Sequence, residues 1–422
     1  MSGVNRPELL SPAGSMESLK AAVNGGCDAV YLGGKQFSAR QYAGNFDLKE
    51  LEDACDYCHL RGVKVYVTVN TVYKDEELAG FLTYIRSLYE MGVDALIMQD
   101  TGAERLVKAH FPDFPLHAST QMTCNSLADV KYWESRGFDK IVLSRELSLE
   151  EIKHITENTE AEIETFVHGA LCVCYSGQCI MSSMLGGRSG NRGRCAQTCR
   201  LPYTLYKGYD SMAEGYLLSP KDVMTVEILP QLIEAGIASL KIEGRMKSPE
   251  YVAGVTRIYR KYIDLYFENS EEYKVDPADI KALQQLFNRG GFTEGYYTSF
   301  AGREMMSIER PKSWGLKVGI VDKYLPKYKK VTIRTREPLV PGDGLEIWTQ
   351  TEPHVGTNVS KHSKAGEVIT ITLEGDINKN DVVYRTFGKA LQDELKKTYE
   401  KAADLRDAAR EGGRTDFLTA LG

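Results

Sequence analysis

From residue 8 to about residue 268 the chain alternates short apolar runs with longer stretches of mixed polarity. The apolar runs fall at 8–11, 29–32, 64–70, 95–99, 116–121, 140–144, 163–167 and 239–243. They are continuous or β-branched, the pattern of strands buried on both faces. Helical stretches lie between them, as at 48–61, 76–91 and 127–136. Several end on a glycine just before the next apolar run, at Gly26, Gly62, Gly92, Gly137 and Gly236. A glycine there accepts the left-handed conformation that closes a helix. Eight repeats of this kind predict an α/β fold, a (β/α)8 TIM-like barrel. An open doubly wound sheet is the runner-up, but SPAGS after the first strand is not the GxGxxG turn such sheets use. Only the gap between the seventh and eighth strands is long.

The texture changes twice after the barrel. Residues 249–300 read as helical, with Pro249 at a helix start and a break at FNRGGFTEGYY. Residues 314–385 carry short alternating strands separated by turns such as PGDG, which predicts a small all-β barrel. The predicted organisation is therefore a barrel over 1–270, a helical connection over 271–313, a β module over 314–388, and a helix with a tail over 389–422.

Composition narrows the class. A hydrophobic content of 42% over 422 residues supports a sizeable core, and a net charge of −6 gives no general attraction to nucleic acid. Nine cysteines, an odd number, and an N-terminus without an apolar leader point to a reducing cytoplasm. No apolar run is long enough to cross a membrane, so none is expected to be engaged.

The long gap holds the chemistry. Residues 165–209 contain Cys172, Cys174, Cys179, Cys195 and Cys199 and no Asp or Glu. They also carry Arg188, Arg192, Arg194 and Arg200. Thiolates are soft metal ligands, and nearby cations favour the ligating form. The spacing suits a [4Fe–4S] cluster; structural zinc and plain free thiols are the other readings. Cys27, Cys55, Cys58 and Cys124 sit in helix or strand patterns, as small buried residues do. On the barrel reading the cysteine stretch is the loop after strand seven, at the face where such barrels place chemistry.

Polar residues at the strand ends converge on the same face. Arg40, Arg145 and Arg245 suit carboxylate recognition, with Asn70 and Gln121 beside them. His168 and Glu243 are the acid–base candidates. The basic residues Arg188, Arg192, Arg194 and Arg200 are candidates for RNA phosphate contacts. HExxH, GxSxG and Walker A sequences are absent.

HGALCVCYSGQCIMSS followed by GRCAQTCR resembles the signature of the collagenase-like peptidase family U32. ELLSPAGSMESLKAAVNGGCDAVYLGG, LHASTQM, IVLSRELSLEEI, LKIEGRMKSPEYVAGVTRIYR and FNRGGFTEGY extend the likeness over nearly the whole chain. The resemblance implies a branch acting in RNA modification: prephenate-dependent hydroxylation of the tRNA wobble uridine to 5-hydroxyuridine. It implies an iron–sulfur cluster on Cys172, Cys179, Cys195 and Cys199, with Cys174 left out. Its partners would be tRNA, prephenate and, as a hetero-partner, a second family member. Sister branches hydroxylate a ribosomal RNA cytidine or serve ubiquinone hydroxylation. Peptidase activity and a non-catalytic redox role are the alternatives.

Overall fold

The structure is a computed structural model and describes residues 5–41, 43–299, 302–350 and 352–400. The expected tail beyond residue 400 lies outside the described residues. The chain runs β1 (Glu8–Pro12), α1 (Met16–Asn24), β2 (Ala29–Gly33), α2 (Leu48–His59), β3 (Lys64–Val69) and α3 (Leu78–Glu90). It continues through β4 (Ala95–Met98), α4 (Thr101–His110), β5 (Leu116–Ala118), α5 (Leu127–Ser135), β6 (Lys140–Val142), α6 (Leu149–Thr156) and β7 (Glu162–Ala170).

A long excursion follows. It holds α7 (Met181–Gly186), the hairpin β8 (Tyr203–Lys207) and β9 (Asp210–Gly215), then β10 (Asp222–Met224) and α8 (Leu229–Glu234). The chain then returns as β11 (Ser239–Ile242). β1 to β7 pair in sequence, and β11 pairs in parallel with both β1 and β7, which closes an eight-stranded barrel.

Local chemistry sets the helix starts. Ser15, Asp100, Ser126 and Ser248 accept from backbone N–H groups at the starts of α1, α4, α5 and α9 (Pro249–Asn269), and Asp47 and Ser148 build capping boxes with Glu50 and Glu151. The five glycines that end helices all have positive φ. Outside the strands, Leu19, Leu51, Phe81, Ile85, Val107, Ile152 and Tyr259 pack the core between helices and barrel.

Inside the barrel the sequence expectation of uniformly apolar strands fails. Towards the N-terminal end, Lys140 Nζ lies 2.7 Å from a Glu8 oxygen, and Lys241 Nζ lies 2.6 Å from Glu164. Ser239 Oγ donates at 3.1 Å to either Glu8 or Glu164, linking the two pairs. Tyr66 OH donates to Glu8 at 2.6 Å. The ring of buried His117 packs edge-on against Tyr66. Burial disfavours each charge, and pairing offsets that cost only because every partner is fixed.

α9 lies against α1, and α10 (Pro277–Leu286) and the short β12 (Phe292–Thr293) follow it. Then come β13 (Leu316–Leu325), β14 (Lys330–Thr335), β15 (Gly344–Trp348), β16 (Val355–Asn358), β17 (Val368–Thr372) and β18 (Val382–Phe387). These form an antiparallel sheet in the order β16–β15–β18–β13–β14–β17, curled around its own core of Val318, Val331, Ile333, Ile347 and Val383. Gln285 and Arg385 exchange hydrogen bonds between α10 and this sheet. α11 (Lys389–Glu400) returns to α1 and α9.

Candidate functional site

The mouth of the barrel is a cavity with about 470 Å³ of empty space, and Arg40, Asn70, Gln121, Arg145, Lys241, Glu243 and Arg245 are among its lining residues. Its floor is Tyr31, Ile97 and Phe166. Glu243 stands between two arginines. Arg40 Nη2 donates to Oε1 at 3.2 Å, and Arg145 Nη2 is 3.7 Å from Oε2. Burial works to raise the Glu243 carboxyl, but the Arg40 and Arg145 charges prevail and hold it below the usual carboxylate range. Arg40 is held charged by Glu243. The Arg145 guanidinium also lies over the Phe166 ring, 3.9 Å from its centroid.

The third arginine does a different job. Arg245 donates to Ser38 Oγ at 2.9 Å, Thr68 Oγ1 at 2.5 Å, Asn45 Oδ1 at 3.2 Å and the Ala39 carbonyl. It pins Ser38, Ala39 and Asn45 in the connection after β2 and is 4% exposed. Burial brings its basicity down to about 10. That loop carries Phe37, Arg40 and Asn45 at positive φ, a conformation non-glycine residues rarely adopt. Asn70 supports the same loop by accepting from Ala39 N at 3.0 Å, and it donates to Ser119 Oγ at 3.2 Å.

His168 is not among the cavity residues. The β7–β11 register shifts between Lys241 and Ile242, leaving Val167 as an extra residue. Such a bulge reverses the side chains beyond it. His168 is therefore buried against Tyr251, Tyr259 and Phe292 instead of facing the mouth. Burial, with Lys247 adding, brings its pKa down to about 3, so the ring is neutral near pH 7.

The cysteine excursion packs over this mouth. Asn191 O accepts from Val72 N and from Gln99 Nε2, both at 3.1 Å, and Gly193 O accepts from Gln41 N. At Gly193 a Cβ would meet Ser38 O at 2.7 Å, and φ is +72°, so glycine alone allows this approach. Arg192 forks onto both Glu77 oxygens at 2.7 Å and holds that carboxyl down at about 2. Arg200 is turned inward to Ser219, Pro220 and Leu171. Arg194 is exposed, and Arg188 Nε donates to its carbonyl at 3.1 Å. Of the four expected phosphate contacts, Arg188, Arg192 and Arg200 thus bond within the chain, and Arg194 is the exposed one.

The thiols gather at the rim. Burial raises the Cys199 thiol; Arg200 lowers it, and the Cys172, Cys195 and Cys179 thiols raise it further. Cys199 is thus the thiol near the other three. Burial raises the Cys174 thiol, and Cys179 beside it raises it further. Among the described residues no three His, Cys, Asp or Glu side chains stand at metal-binding distance of one another. Cys27, Cys55, Cys58 and Cys124 are buried elsewhere.

Lys241 is the charged cavity residue that sequence reading missed, and Tyr31, Thr68, Ile97, Thr120 and Phe166 also line the cavity unforeseen. The alternation Lys241-Ile242-Glu243 on the last strand places Lys241 and Glu243 on one face and carried the signal.

The site sits within a well-populated group of relatives. The chain is 36% identical over 352 residues to tRNA hydroxylation protein P1 of Bacillus subtilis, covering 81% of this chain and 83% of that one. It is 40% identical over 371 residues to the 23S rRNA 5-hydroxycytidine C2501 synthase of Escherichia coli, covering 86% of this chain and 55% of that one. It is 36% identical over 312 residues to a protein named collagenase from Porphyromonas gingivalis, covering 70% and 74%. Among the described residues no helix is long and apolar enough to cross a membrane. Residues 14–307 match the model of peptidase family U32, and with the barrel and its relatives in agreement, the chain belongs to that family.

Proposed function

We propose that the chain hydroxylates a pyrimidine in RNA, with the tRNA wobble uridine as substrate and 5-hydroxyuridine as product. The observation that carries this reading is the single mouth shared by a cationic pocket and four neighbouring thiols, with Arg145 touching both. Relatives named for tRNA and rRNA hydroxylation support it. A second reading, hydroxylation of a ribosomal RNA cytidine, is favoured by the 40% identity to the rRNA enzyme.

Cys172, Cys179, Cys195 and Cys199 would hold a [4Fe–4S] cluster. The donor set fits by its chemistry, four soft thiols on one excursion with Arg145 and Arg200 nearby, although the thiols would have to draw together to ligate. Such a cluster would supply one-electron chemistry at the cavity rim. The pocket would take prephenate, a dicarboxylate, with Arg40 and Arg145 as the cations that meet it. Phe166, Tyr31 and Ile97 would pack its apolar body and keep water from the floor. Glu243 is the carboxylate nearest both arginines and pairs with them in the resting pocket. Arg188 and Arg194 would contact the RNA backbone, and the target base must leave its stack to enter.

A deletion strain tests the reading. Nucleosides from its tRNA should lack 5-hydroxyuridine, and the wild-type gene but not a Cys199→Ser gene should restore it. Loss of hydroxycytidine from 23S rRNA instead would transfer the assignment to the ribosomal substrate. Unchanged nucleosides in both RNAs, in a strain without a second family member, would remove the reading altogether. Gelatin cleavage by the purified chain would favour peptidase activity.

A further inference from the structure

We infer that Glu243 is an internal stand-in for a ligand carboxylate: it occupies the Arg40–Arg145 clamp in the resting pocket, and a carboxylate ligand displaces it. The inference rests on the pocket reading above and deepens it by assigning how the ligand is admitted.

The clamp is already filled, yet poorly. Glu243 takes one hydrogen bond from Arg40 at 3.2 Å, whereas its distance to Arg145 is 3.7 Å, an ion pair without a hydrogen bond. Two cationic side chains thus share one carboxylate that satisfies neither bidentately. Other polar atoms at the same wall lack partners: Arg145 Nε and Gln121 Oε1 are buried and make no hydrogen bond. Buried polar atoms are rarely left so, and two in one cavity wall indicate groups waiting for a ligand.

Displacement is possible for the side chain alone. The Glu243 backbone is fixed, since its N–H donates to His168 O at 2.8 Å and its carbonyl accepts from Tyr251 OH at 3.0 Å. The side chain is 15% exposed and ends in the cavity. When it rotates away it stays in the cavity that Lys241 also lines, within the field of that charge. Arg40 sits in a left-handed backbone conformation on a loop that Arg245 pins. The clamp is therefore preorganised and does not collapse when Glu243 leaves.

A bound anion and an undisplaced Glu243 repel each other across this small volume. Removing the negative charge of Glu243 should therefore strengthen anion binding, the opposite of what a residue that donates a hydrogen bond to the ligand would do.

The test is calorimetric titration of the full anaerobic chain with prephenate and, separately, with malonate. Glu243→Gln should bind both roughly tenfold more tightly than wild type, and Arg40→Gln should bind both more weakly. Glu243→Asp, which keeps the charge but shortens its reach, should fall between wild type and Glu243→Gln. It serves as the deciding variant if the glutamine form does not fold by circular dichroism. Weaker or unchanged binding by both Glu243 variants, with wild type still dependent on Arg40, overturns the stand-in role and leaves the pocket assignment in place. No binding by any form overturns both.

Discussion

Arg145 Nη1 donates to Cys172 Sγ at 3.7 Å while the same guanidinium faces Glu243. One side chain thus joins the anion pocket to the thiol group. The four neighbouring thiols carry the metal reading, so it can be tested thiol by thiol. After anaerobic reconstitution, Cys172→Ser, Cys179→Ser, Cys195→Ser and Cys199→Ser should each lose most iron and sulfide, and Cys174→Ser should retain both. Metal and sulfide analysis with the visible absorption of the protein checks this. Full loading of any of the first four would remove that cysteine from the ligand set.

The neutral state of His168 has a consequence for acid stability. Its folded pKa of about 3 lies below the ordinary 6.5, so between those values the unfolded chain binds the extra proton. The stability associated with the neutral ring is fully present above about pH 6.5 and is lost as pH falls towards 3. Urea denaturation of wild type between pH 4 and pH 7 should show this slope, and His168→Gln should flatten it. An equal slope in the variant would show that other groups carry the acid limb.

Arg245 is a structural fastener rather than an open ligand donor. Arg245→Met should cost about 3 kcal/mol, because it leaves Ser38, Thr68, Asn45 and the Ala39 carbonyl without their shared donor. Limited proteolysis should cut within residues 34–46 in that variant and spare wild type. A variant as stable and as protected as wild type would contradict the role.

The Glu164–Lys241 pair should behave as a unit. Lys241→Met alone or Glu164→Gln alone should destabilise by about 3–5 kcal/mol, since each leaves a buried charge unpaired. The double variant should be much less damaging than the sum, a coupling readable from a double-mutant cycle. Additive losses would mean that the two charges do not depend on each other.

Phosphate contact by the excursion should fall on Arg194, which is exposed, and on its neighbour Arg188. Arg188→Gln with Arg194→Gln should weaken tRNA binding and lower the slope of log affinity against log salt by about one per lost contact. Arg200→Gln should instead lower thermal stability, because its three acceptors lie inside the chain. An unchanged salt slope in the double variant would place the RNA elsewhere.

How much of this was written in the pattern depends on the range of the interaction concerned. The eight strands and their helices were legible because burial on both faces and helix-ending glycines are local signals, as at 64–69 and at Gly62. The curled module was legible from its alternation, read as a small barrel where the structure curls a six-stranded sheet around its core. The cavity arginines were found by their place at strand ends, but their division of labour was not. Whether Arg245 pins a loop or faces a ligand depends on Ser38 and Thr68, which are distant in sequence. His168 was misplaced because the one-residue bulge at Val167 has no signature in TFVHG. The ionic interior escaped notice because Glu8, Lys140, Glu164 and Lys241 meet only once the barrel has closed.

The position of β11 after the cysteine excursion has a consequence in time. Synthesis delivers Cys172 to Cys199 before Ser239–Ile242, the strand that joins β7 to β1. Every nascent chain therefore carries five thiols on an unclosed barrel for an interval set by the length of the excursion. A factor that loads or shields these thiols can act on the growing chain, before the mouth they border exists.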